Sequence, residues 1–171
     1  MNLVNLSSPQ WCQVSRSWNT FTTATAKRLF SVQGTVNITQ LFFEVTEELA
    51  GGSSVLGTFQ FNPTGTGTTT TLSHASPTTS LTNAAAGRMF GITGVIGGTT
   101  GQTSGQLLPG LSSATTTAWG LVGMGSSTTL ILKEGVIEFL PAFSGTMTAG
   151  KSLFRVRWEP YSSDGSVTPQ A

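Results

Sequence analysis

Charge is scarce in this sequence. Asp, Glu, Lys and Arg make up 9% of its 171 residues, against about 25% in an average domain. Eight basic and seven acidic side chains leave a formal net charge of +1. No basic cluster is longer than Lys27-Arg28, so the electrostatic footprint of a nucleic-acid binder is missing. A surface so poor in charge also has little self-repulsion to hold copies apart. A monomer with such a surface would risk aggregation, whereas in an assembly much of it would be covered.

Other absences narrow the chemistry. A single cysteine, Cys12, excludes an intrachain disulfide and a thiolate metal site. One histidine, His74, and one aspartate, Asp164, do not make a metal cluster, and nothing in their spacing points to a Ser-His-Asp arrangement. His74 sits in the polar segment LSHASP and reads as a solvent-exposed loop residue. Glu134 and Glu138 share a parity, but along a strand they lie about 13 Å apart at roughly 3.3 Å per residue. A glycosidase pair needs about 5–9.5 Å. A pair joining Glu44 or Glu48 to a distant strand is left open, as is calcium on Glu and backbone carbonyls. Gly120-Leu-Val-Gly123-Met-Gly125 is glycine-rich, but no Lys-Ser/Thr follows it and no βαβ pattern surrounds it. The expectation is a protein that is not an enzyme and carries no cofactor or metal. No apolar run approaches the roughly 20 residues of a membrane span, and MNLVNLSSPQ lacks the pattern of a signal peptide. Asn5-Leu6-Ser7 and Asn37-Ile38-Thr39 match the glycosylation pattern, as chance allows in a chain rich in Ser and Thr.

What fills the chain is Thr, Ser and Gly, with four Trp and ten Phe available for burial. Thr and aromatics suit pleated surfaces, and Gly, Pro, Asn and Ser suit turns. Residues 1–24 hold Trp11, Trp18 and Phe21 without a clear period. They form either a lead-in packed on its own domain or an arm that docks on a neighbouring subunit. Strands are expected over 28–33 and 35–46, with Gly34 as a bulge or corner between them. Leu41, Val45 and Leu49 also fit a helical spacing ending at Gly51-Gly52, and 46–50 is left undecided. Further strands are expected at 55–61, 68–73, 88–93, 118–122, 129–133 and 135–140. Asn62-Pro63-Thr64-Gly65 reads as a turn. In SLFRVRWEP, Phe154, Val156 and Trp158 face one way, and Leu153, Arg155, Arg157 and Glu159 the other, as in a half-buried antiparallel strand. Residues 97–117 form a long Gly/Thr/Ser-rich loop, and Tyr161-Ser-Ser-Asp-Gly turns into a polar tail.

Eight to ten short strands with a turn signal about every ten residues predict an all-β fold: an antiparallel β-sandwich, jelly-roll-like, over residues 25–171. The stretch FSVQGTVNITQLFFEV poses one question. Phe30, Val32, Val36 and Ile38 keep one parity, but Leu41, Phe42, Phe43 and Val45 put apolar groups on both faces. Either the same chain covers the second face or a neighbouring subunit does.

FSVQGTVNITQLFFEV, FNPTGTG, AAAGRMFGITG and GVIEFLPAFSGTMTAGKSLFRVRWEPYSSDG together resemble β-rich virion proteins of tailed bacteriophages. The resemblance spans roughly 28–165 without 97–117, and rests on the order of strands and turns. It implies a structural virion protein, foremost a capsid decoration (cement) protein that binds and stabilises the major capsid shell. The implied place is the capsid surface, after assembly in the bacterial cytoplasm. The partners expected are the major capsid protein and further copies of the chain, with a trimer favoured, and neither nucleic acid nor membrane. Interface residues expected are Trp11, Trp18, Phe21, Leu41, Phe42, Phe43 and Trp119. The alternative is a tail or fibre-associated protein whose loop 97–117 and Trp119 bind a host receptor or glycan.

Overall fold

The computed structural model describes residues 9–65, 68–73, 80–93, 106–110 and 130–171, with the backbone alone for Thr93 and 106–110. The expected strand 118–122 lies outside the described residues. The fold is all-β and antiparallel, and among the described residues the one helical element is a 3-10 turn, Trp18–Thr20.

Two strands make the frame. β3 (Val36–Pro63) runs 28 residues and β8 (Gly135–Pro160) runs 26, where strands usually run about 3–10. They pair antiparallel from Val36↔Pro160 to Pro63↔Gly135. Midway the register slips repeatedly between Val45 and Leu56, around Gly51 and Gly52, whose φ angles are +76° and +66°. Side chains with a Cβ rarely adopt such angles, and glycine does so at little cost. The ribbon bends there without losing its ladder. The helical alternative at 40–50 is therefore wrong: those residues are strand throughout, including the undecided 46–50.

The bend divides the one sheet into two layers, whose rings meet around Phe43. In the first, β1 (Gln10–Ser17) pairs with residues 151–158 of β8. β5 (Met89–Thr93) and β7 (Leu130–Leu132) pair with the opposite edge of β3, and β6 (Gln106–Gly110) continues beyond β5. In the second, β4 (Thr70–Thr71) borders β3, while β2 (Lys27–Gln33) and then β9 (Ser166–Pro169) follow β8. All nine belong to one hydrogen-bonded sheet. The arrangement is compatible with the expected sandwich. It departs from a set of uniformly short strands because the double glycine bends a paired ribbon instead of ending a strand.

Phe43 lies at the centre of the core. Its ring is 5.1 Å from those of Phe90 and Phe154, 5.5 Å from Phe139 and 6.3 Å from Phe59 and Trp18. Residues from both layers thus meet on one side chain. Each such aromatic pair adds about 0.5–1.5 kcal/mol beyond area burial.

The pairing also resolves the phase problem in FSVQGTVNITQLFFEV. A bulge between Ile38 and Gln40 advances the parity by one residue. Val36 and Ile38 before it, and Leu41, Phe43 and Val45 after it, all face the core. Only Phe42 is left as an apolar side chain on the outer face.

Candidate interaction surface

The outer face of the first layer is built by β1, β8, β3 and β7. Cys12 and Val14 of β1 pack inward, so Trp11, Gln13 and Ser15 point out. On β8 the same alternation sends Leu153, Arg155, Arg157 and Glu159 out. On β3 it sends out Asn37, Gln40, Phe42 and Glu44, and on β7 Ile131. Tyr161 stands one residue beyond β8, its N–H donating to the Thr35 carbonyl at 2.9 Å. The three large apolar side chains exposed among the described residues are Trp11 (54%), Ile131 (44%) and Tyr161 (66%). All three belong to this layer, two on its outer face and the third at the end of the β8 column.

Aromatic and guanidinium groups interleave here. The rings of Trp11 and Phe42 meet edge to face at 5.9 Å, above the intervening β8. The Arg157 guanidinium carbon is 5.9 Å from the centroid of Trp11, a cation–π contact. Arg155 pairs with Glu44 at 3.4 Å. Arg157 and Glu159, two residues apart in one outward column, form no ion pair among the described residues. The Nε atoms of Arg155 and Arg157 and the Oδ1 of Asn37 are shielded from solvent without a hydrogen-bond partner.

The residues expected at an interface separate. Trp18, Phe21, Leu41 and Phe43 lie in the chain's own core, so they are not open to a second subunit. Phe42 is 5% exposed, edge-on to Trp11. The chain itself covers both faces of 41–45, and the inference of a neighbour from that stretch does not hold. Among those that are described, Trp11 is the one that stands on the surface. Trp119 lies outside the described residues, as do His74 and the 97–117 loop apart from β6.

Residues 10–21 belong to the folded body rather than to a free arm. Arg16 fastens β1 to the second layer: its Nη2 donates to the carbonyls of Gln170 at 2.7 Å and Arg28 at 3.1 Å. The polar tail also carries a strand unforeseen from its composition, β9, clipped at its start by Ser162 and Asp164 at 2.5 Å.

The carboxylates do not assemble into a site. Glu138 is 5% exposed, accepts from Gln60 Nε2 at 2.9 Å, and has Arg28 Nε at 3.8 Å. Glu134 is exposed and Glu44 is engaged by Arg155. Among the described residues no three His, Cys, Asp or Glu side chains group to hold a metal ion.

Sequence reading missed this face as a unit. Two signals pointed to it: Arg155-x-Arg157-x-Glu159, in a chain with only eight basic residues, and the Cys12/Val14 alternation hidden behind a large outward Trp11. No protein-family model, curated protein or solved structure matches this chain.

Proposed function

We propose that this protein is a structural virion component of a tailed bacteriophage, of the capsid decoration type, acting by binding the capsid shell rather than by catalysis. One observation carries the reading that the protein works in an assembly: among the described residues, the exposed large apolar side chains, Trp11, Ile131 and Tyr161, gather in one layer beside Arg155 and Arg157. Trp, Tyr and Arg are the residue types that dominate protein–protein hot spots. The charge-poor composition and the resemblance in strand and turn order support the same reading.

The test is made on particles that carry the chain. Particles stripped of it should lose resistance to heat or chelator, and a reconstruction should place it on the head surface. Stripped particles of unchanged stability would end the decoration reading. Density at the tail tip would favour the tail or fibre alternative.

A further inference from the structure

Arg157 and Glu159 stand in one outward column of β8 and form no ion pair among the described residues, whereas the neighbouring Arg155 is paired with Glu44. At about 3.3 Å per residue they are separated by about 6.6 Å along the strand. The column Arg155, Arg157, Glu159, with Glu44 beside it, carries two positive and two negative groups. A face with no net charge offers little to a strongly acidic or strongly basic partner. It is well suited to a copy of itself.

We propose that the outer face of β1, β8, β3 and β7 is a self-complementary interface that takes a second copy of this chain about a two-fold axis. The axis lies between the two faces, crosses the strands and passes at the level of Trp158. Such an axis inverts the strand direction, so Arg157 of each copy meets Glu159 of the other, giving two reciprocal ion pairs. Trp11, Ile131 and Tyr161 are then covered. Arg157 approaches its partner already braced against the Trp11 ring, so less side-chain freedom is lost than for a mobile arginine. The inference rests on the reading that the protein works by assembly: this face then joins copies of the chain, and the shell is met by another surface.

The size fits a modest association. Three strands of about eight residues and the three residues of β7, spaced about 4.8 Å and rising about 3.3 Å per residue, give a face of about 430 Å² in projection. That is little more than half of the roughly 800 Å² per partner of a standard-size interface, in the range of weak, transient contacts. Self-association should therefore be weak, appearing toward the upper micromolar range.

Sedimentation of the purified full chain, over concentrations reaching the upper micromolar, tests it. The expected result is a shift from one to two chain masses. Arg157→Glu or Glu159→Arg alone places like charges opposite each other and should weaken association at least about tenfold. The double exchange Arg157→Glu/Glu159→Arg should restore it. An equimolar mixture of the two single variants should form a heterodimer that neither forms alone. Trp11→Ala should weaken association while leaving the circular-dichroism spectrum unchanged. A wild-type chain that stays monomeric, or single reversals that associate as well as wild type, would overturn the proposal. A folded monomer that still binds heads would refute this interface and leave the decoration reading standing. A dimer that binds no heads would do the reverse.

Discussion

The indole N–H of Trp18 donates to Oγ of Ser152 at 2.8 Å, with both residues fully buried. The bond ties the turn after β1 to the middle of β8, inside an otherwise apolar cluster. Ser152→Ala should leave that donor without an acceptor and cost about 1–3 kcal/mol. In a double-mutant cycle with Trp18→Phe, which removes the donor as well, the combined loss should be smaller than the sum of the single losses. Chemical denaturation of the four proteins measures it, and additivity would mean that the bond contributes nothing of its own.

Gly57 is set by close approach rather than by backbone angle. A Cβ there would collide with the ring of Phe139, with Cζ as the nearest atom. Phe139 is held by Phe43, Phe59 and Phe154 and has nowhere to move. Gly57→Ala should destabilise by about 1–3 kcal/mol, the usual cost of overpacking. Adding Phe139→Leu should recover part of it, which thermal unfolding of the pair would reveal.

Arg16 holds the end of the chain. Arg16→Met keeps the apolar stem and removes the donors to Gln170 and Arg28. The expected loss is about 1–2 kcal/mol, in the range for a hydrogen bond to a charged group with allowance for partial exposure. Its local signature should be faster hydrogen exchange in β9 than in β8. Uniform acceleration would instead point to global destabilisation.

Burial pushes the Cys12 thiol above its ordinary value, against a smaller opposing effect of a backbone hydrogen bond with Gln13. The folded state thus favours the neutral thiol. Its contribution to stability is full below the unfolded thiol value, about 8.5, and is lost as pH rises from there through the raised folded value. Urea unfolding of wild type should weaken between neutral pH and pH above 9 by more than that of Cys12→Ala. Equal slopes would show that Cys12 is not the titrating group. Under native conditions the thiol should also react with a disulfide reagent far more slowly than after unfolding.

The last long strand was legible as written. Phe154, Val156 and Trp158 are buried, and Leu153, Arg155, Arg157 and Glu159 are half-exposed, as strict alternation requires. The corner at Gly34 was equally visible, and its φ is +60°. The stretch 41–45 was not. Its apolar run is compatible with a strand, a helix or an interface, and only the bulge opposite Arg157 and Trp158 decides which side chains turn inward. Composition gave no hint of β9 either, because four residues of polar tail become a strand only by pairing with β2.

By itself, then, the sequence determined an all-β chain with aromatic rows for a core, few charges, and no ready-made catalytic or metal motif. Those properties follow from local periodicity and composition, which short segments carry on their own. Tertiary structure alone decided that β3 and β8 run as one bent ribbon and that Trp11 lies edge-on to Phe42. It also decided that Trp11, Tyr161, Arg155 and Arg157 share one layer. Pairings such as Trp11↔Arg157 join residues nearly the whole chain apart. The alternation within each strand fixes which side chains share a face, but it does not say which strand will lie alongside.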